Sequence, residues 1–204
     1  MPVLREAKRV VEKLTGYRRP DREALSGLVR ARKPTIFRFI DDGETPNNEW
    51  PLVIYRSPVR LAEDYDPAAI FEELFALHGW KDSWRDGVYD FLHFHTHRHE
   101  VLGFARGRVE VAFGGAKGKR LLLKAGDVAI LPAGTGHKRI EASGNLLVVG
   151  AYPQNSGAYD QPKPSSAEHQ KALRNIAAVP PPKEDPVYGL GGPLIGLWQS
   201  RRTG

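Results

Sequence analysis

The sequence predicts an all-β fold, a sandwich or barrel of short antiparallel strands, and three observations carry this. Beyond residue 34 the apolar residues fall in stretches of strand length, closely spaced between residues 88 and 152. Glycine-rich turns such as Gly114-Gly115 and Ala125-Gly126-Asp127 separate them. A helical pattern interrupts this texture over residues 67–78, which leaves no regular alternation of strand and helix.

The elements follow in order. Val3, Leu4, Ala7, Val10, Val11 and Leu14 recur at helical spacing, and Gly16 stops them. Asp21 can cap a second short helix carrying Ala24, Leu25, Leu28 and Val29, with Pro34 as its limit. Residues 35–40 alternate as a strand, Asp41-Asp42-Gly43 turns, and residues 51–55 (PLVIY) form a short apolar strand. In the central helix Asp66 is the cap, Pro67 takes the first turn, and Gly79 closes the run of Ile70, Phe71, Leu74, Phe75 and Leu77. Strands are then expected over 88–95, 100–106, 108–113, 119–124, 127–131, 137–142 and 145–152. The tail is rich in proline and glycine, with one short peripheral helix near 166–177. The predicted organisation is a helical extension over 1–33, a barrel over 34–160, and a C-terminal segment over 161–204 that wraps it.

A chain of 204 residues suits one domain with a core that needs no disulfide, and it contains no cysteine. That excludes thiolate zinc sites and cysteine nucleophiles. No apolar run approaches the roughly 18 residues of a membrane span, and neither a secretory signal nor a transit peptide is legible, so a cytoplasmic protein without membrane contact is expected. The net charge of +6 suggests nucleic acid until it is located. Residues 1–33 hold ten basic and four acidic residues, hence the whole excess, and the rest of the chain is balanced. That extension has no interleaved aromatics apart from Tyr17, so nucleic-acid binding is not expected. The apolar faces of its helices are suited to docking on the barrel or on a second subunit.

Four of the seven histidines lie between residues 93 and 99. Imidazole is the commonest ligand for borderline divalent metals, and an added carboxylate favours iron, manganese, nickel or zinc. His93 and His95 are two apart, so on a strand both leave the same face. Glu100 has the opposite parity. A turn through 96–99 lets it open the next strand and point back inward. His137 follows a strand and a turn forced by Pro132, Gly134 and Gly136, and is the natural fourth ligand. Three histidines and one glutamate leave two positions of an octahedral ion open, as a working metal requires. His99 points away from Glu100 and is expected to hydrogen-bond in the turn; His97 is expected to be exposed, and His78 to sit at a helix C-terminus.

These segments resemble the paired motifs of the cupin superfamily, G-x5-H-x-H-x4-E-x6-G and G-x5-P-x-G-x2-H-x3-N. The first matches at Gly87, His93, His95, Glu100 and Gly107, the second at Gly126, Pro132, Gly134 and His137, with Glu141 in place of its final Asn. Stretches such as 41–48 (DDGETPNN), 99–103 (HEVLG), 134–138 (GTGHK), 148–153 (VVGAYP) and 185–189 (DPVYG) are similar to the YjlB-like cupins. The resemblance runs from about residue 35 to 198. It implies an RmlC-like jelly roll, a double-stranded β-helix, usually homodimeric. It implies no particular reaction.

Parity proposes a pocket. Tyr89 and Phe91 share the face of His93, Leu102 and Phe104 that of Glu100, and Arg139 and Glu141 that of His137. The aromatics and Leu102 serve equally well as barrel core. Arg139, if it faces inward, would select an anionic substrate. The expected function is a metal-dependent enzyme on a small molecule, of oxygenase or isomerase type, with Glu141 and Tyr89 as candidate catalytic residues. The alternative is a metal-stabilised binding or sensor domain without turnover.

Overall fold

The computed structural model describes residues 18–199, so the expected helix within 1–17 lies outside the described residues. In chain order the elements are α1 (Arg22–Leu28), β1 (Thr35–Phe37), β2 (Leu52–Tyr55), α2 (Pro67–Leu77), β3 (Trp80–Asp86), β4 (Glu100–Arg106) and β5 (Arg108–Phe113). Then follow β6 (Lys119–Lys124), β7 (Val128–Leu131), β8 (His137–Ala142), β9 (Leu147–Pro153), α3 (His169–Ala177) and α4 (Pro193–Gln199). All strand pairs are antiparallel, in a six-stranded sheet ordered β1-β2-β7-β4-β9-β3 and a three-stranded sheet ordered β6-β5-β8. This is the expected all-β jelly roll.

The inner strands β2 and β7 of the six-stranded sheet are buried on both faces, which explains the unbroken apolar runs LVIY and VAIL. Leu52, Ile54, Leu102, Phe104, Ala129 and Leu131 point toward the smaller sheet and meet Val109, Val111, Phe113 and Leu123 there. Their neighbours Val53, Tyr55, Val101, Val128 and Ile130 point outward under the helices. On that outer side α2 contributes Ile70, Phe71, Leu74 and Phe75, and α1 contributes Leu25 and Leu28. Asp66 caps α2 by accepting from the Ala68 N–H, and Asp21 caps α1 by accepting from the Ala24 N–H. Helix α1 ends at Leu28, well short of Pro34, because Val29 leaves it to bridge Val59.

Residues 88–95, β3 and the unexpected short helix α4 differ from expectation. Residues 88–95 are not a regular strand. They lie along β8 through one bridge, His93 to His137, and through the Arg139 N–H donated to the Tyr89 carbonyl. The His95 carbonyl still accepts from the Gly134 N–H (2.7 Å), while the Phe94 N–H faces the other side and donates to the Pro162 carbonyl. Strand β3 escapes sequence reading because WKDSWRD carries no apolar alternation. It is an edge strand, mostly exposed, with an irregular register between Lys81 and Trp84.

The C-terminal segment is stapled into the body by Asp185, which is fully buried. Its Oδ2 accepts from the Tyr55 hydroxyl (2.6 Å) and the Leu194 N–H (3.1 Å), and its Oδ1 from the N–H groups of Val187 (2.9 Å) and Tyr188 (3.1 Å). Burial and the Asp185 charge push the Tyr55 phenol far up, so it stays a donor. This brings α4 down with Leu194 and Trp198 buried in the outer core. Replacing Asp185 by Ala strands these donors in an apolar setting. The expected loss of about 3 kcal/mol is checked by the urea midpoint at unchanged m-value.

Candidate metal centre

Glu100 opens β4 opposite Leu131, and its alternation with Leu102 and Phe104 sends it into the space between the sheets. His137 opens β8 opposite Phe113. The turn before it needs glycine at position 134, where φ is +88° and a Cβ would lie 2.3 Å from the Asn47 carbonyl oxygen. The bridge brings His93 alongside His137, with paired N–H to carbonyl bonds of 3.2 and 2.9 Å and ring centroids 4.2 Å apart. His95, two residues on, turns its ring to the same point, 5.7 Å from that of His93 and 5.9 Å from that of His137.

All four side chains are buried, with Glu100 3% exposed. One nitrogen from each of His93, His95 and His137 falls within a sphere of contact in which all lie 4.8 Å or less from one another, an arrangement that could hold a metal ion. Glu100 Oε2 lies 3.5 Å from His95 Nε2 and 3.4 Å from His137 Nε2. Every Nδ1 meets a backbone carbonyl: Phe91 for His93 (3.1 Å), Asp160 for His95, and Thr135 for His137 (3.0 Å). A carbonyl only accepts, so each Nδ1 carries the hydrogen and each Nε2 presents a lone pair inward.

That tautomer leaves Glu100 Oε2 without a hydrogen-bond donor, facing two lone pairs in a buried place. Burial works against the carboxylate charge; charge and hydrogen bonds from His95 and His137 would hold Glu100 well below the usual carboxylate range, but only with hydrogen on their Nε2 atoms. With those lone pairs bare, the compensation has to come from another cation. Burial lowers His93 to about 3, with His137 adding to the effect. Burial also opposes charge on His95, but Glu100 outweighs it and pushes that imidazole up. An ionised carboxylate in this place calls for positive charge at the centre of the cluster. A divalent cation, with three imidazole nitrogens and one carboxylate oxygen as donors, fits that requirement.

The cluster forms one wall of a cavity of about 380 Å³. Of the pocket residues expected from parity, Leu102 lines it and so does Tyr89, the latter 45% exposed. Phe91 stacks on Tyr89 (centroids 5.0 Å apart) outside the lining, and Phe104 lies in the core between the sheets. Arg139 and Glu141 do not line the cavity. The Arg139 guanidinium reaches out toward Asp90, 3.7 Å away. Glu141 is turned outward by an irregularity in β8: Val111 faces Arg139 but Glu110 faces Glu141, so the alternation breaks between them.

His97, His78 and His99 lie outside the cluster. His97 is partly exposed beside Asp160 (3.3 Å), and His78 follows α2 and meets Glu184 (3.1 Å). His99 is buried; its Nδ1 accepts from the Ala133 N–H (2.9 Å) and its Nε2 donates to the Pro180 carbonyl (3.2 Å). Burial lowers its pKa to about 4, so it is neutral at pH 7.

Sequence reading missed Trp84, Arg98, Tyr152, Tyr159 and Gln161, all of which line the cavity. Tyr152 was within reach, because it alternates with Val148 and Gly150 along β9. The Trp84 indole donates to the Tyr152 hydroxyl (2.8 Å) and lies so close to Gly150 that a Cβ there would be 2.1 Å from it. Tyr159 and Gln161 come from the irregular tail, where no period exists to place them.

No family model matches the chain. YjlB of Bacillus subtilis (strain 168), a protein of uncharacterised activity, is 34% identical over 168 residues, covering 82% of this chain and 98% of its own. The chain belongs to the YjlB family of cupins. Acireductone dioxygenase from Bacillus anthracis, with a cadmium ion in its active centre, is 16% identical over 49% of this chain and 70% of its own, at a TM-score of 0.34. A deletion mutant of Bacillus subtilis oxalate decarboxylase is 16% identical over 62% of this chain, at a TM-score of 0.34, and the match spans 31% of the decarboxylase. No helix among the described residues of this YjlB-family chain is long and apolar enough to cross a membrane.

His99 gives the site a testable support. Replacing it by Phe keeps a ring between Trp50 and Trp198 but removes both hydrogen bonds. Loss of about 1–3 kcal/mol is expected from the unpartnered Ala133 and Pro180 groups, read by chemical denaturation.

Proposed function

We propose that His93, His95, Glu100 and His137 hold one divalent cation, iron, manganese, nickel or zinc, and that the cavity beside them is the active site of an enzyme acting on a small molecule. Oxygenase or isomerase chemistry suits this ligand set best. One observation carries the reading: three imidazole lone pairs and an unpartnered carboxylate oxygen converge at the wall of an accessible cavity. A divalent ion bound there supplies Lewis acidity toward an oxygen of the substrate.

The chain's own groups would do the rest. The Nδ1 hydrogen bonds orient the rings before anything binds. Burial, with the nearby Glu100 charge, pushes the Tyr152 phenol far up, while burial with Tyr89 and Glu100 pushes Tyr159 to about 12. Both phenols stay protonated, and they offer hydrogen bonds to a substrate instead of taking protons from it. Leu102 and the Trp84 ring exclude water from one side of the cavity.

Elemental analysis of protein purified without a chelating tag should find one divalent ion per chain; a substoichiometric total after saturation with each candidate metal overturns the reading. Saturation at about a hundred times the dissociation constant should raise the melting temperature by roughly 5–10 °C, and EDTA should reverse it. In His93→Ala or His137→Ala the shift should vanish while the metal-free fold persists by circular dichroism. Glu141→Gln, by contrast, should leave metal affinity unchanged by calorimetric titration.

A further inference from the structure

Arg98 lies in the middle of the histidine run, yet it is 8% exposed and lines the cavity. A buried guanidinium normally has a carboxylate partner, because an unpaired charge in such a place is costly. Among the described residues no carboxylate pairs with Arg98. Its Nη2 donates to the Gly157 carbonyl, its plane rests on Tyr152 (4.5 Å to the ring centroid) and Tyr159 (5.5 Å), and its Nε has no partner. A second buried donor in the same lining, Gln161 Nε2, is also without a partner.

These donors are close to the histidine cluster. The His95 ring touches the same two tyrosines, with centroids 6.0 Å from Tyr152 and 5.4 Å from Tyr159. The other cation lining the cavity, Arg85, is already held by Glu72 and Asp66 (2.7 Å each). Asp82 and Asp86 stand on the exposed rim, where water screens them. The free positive charge inside is therefore that of Arg98.

The geometry points to a small organic carboxylate as the substrate class, its carboxylate taken by Arg98 and Gln161 while the rest of the molecule extends along the tyrosines toward the histidine cluster. The inference rests on the reading of the cavity as an active site. The unpartnered Nε of the guanidinium and the unpartnered Gln161 amide are donors that the two oxygens of a carboxylate would satisfy. The ordinary alternative, Arg98 as a pin for the loop at Gly157, accounts for Nη2 and leaves Nε and Gln161 unexplained.

Calorimetric titration of the zinc-loaded full chain with benzoate and succinate, each against its amide of the same shape, tests this. Each carboxylate should bind at least about tenfold tighter than its amide, and Arg98→Gln and Gln161→Glu should each abolish that preference. No preference in the unaltered protein overturns the inference. Retention of it in either folded variant does so too, since the carboxylate would then be held by the metal alone. If Arg98→Gln does not fold, Gln161→Glu decides by the same criterion. Zinc stoichiometry on the same samples reports the metal reading separately. A chain that binds no zinc yet keeps an Arg98-dependent preference loses the metal reading and retains this one.

Discussion

An almost fully buried carboxylate facing inward-directed imidazole lone pairs at the wall of the cavity is the constraint around which the site is built. Glu100 lies at the start of a strand whose alternation sends it into the space between two apolar sheets. Leaving such a group uncompensated costs several kcal/mol. The neighbours cannot relieve it by donating, because backbone carbonyls hold all three imidazole hydrogens on the far side. What offsets the charge is a cation at the centre or a proton on His95, the imidazole whose affinity for a proton is raised. The same arrangement that makes an uncompensated cluster unfavourable suits it to hold a small cation.

The geometry of the run from His95 to His99 depends on the C-terminal segment. His95 donates to the Asp160 carbonyl, the Thr96 N–H and hydroxyl donate to the Asp160 carboxylate, Arg98 donates to Gly157 and His99 to Pro180. Helix α3 joins in through Asn175, whose amide donates to the Thr96 hydroxyl (3.4 Å). The side chains of this irregular stretch are thus tied to the tail at Gly157, Asp160 and Pro180. The tail also supplies part of the site: Tyr159 and Gln161 line the cavity. Without a ladder of its own, the histidine run takes its shape from these side-chain bonds.

Much of this was legible beforehand. The strands from 100 onward follow apolar alternation and glycine turns closely, and helix α2 follows its cap, its proline and Gly79. His93, His95, Glu100 and His137 are brought together as their spacing requires. Arg139 and Glu141 illustrate where parity fails. One irregularity in β8 turns Glu141 outward, and a side chain as long as arginine can follow a partner such as Asp90 away from the cavity. Arg98 illustrates the converse. It sits in a turn that has no period, and only Gly157 and the tyrosines decide where it points.

The sequence by itself determined the fold class, the pairing of motif segments and the identity of the ligand-type side chains, because these depend on local alternation and on turns that particular residues enforce. The tertiary structure alone decided which groups share the cavity with them. Trp84 comes from an edge strand without apolar alternation, Tyr152 from a strand far along the chain, and Tyr159 and Gln161 from an irregular tail. Their convergence is set by packing between distant segments, and no local pattern encodes a distance between segments that meet only after the sheets have closed.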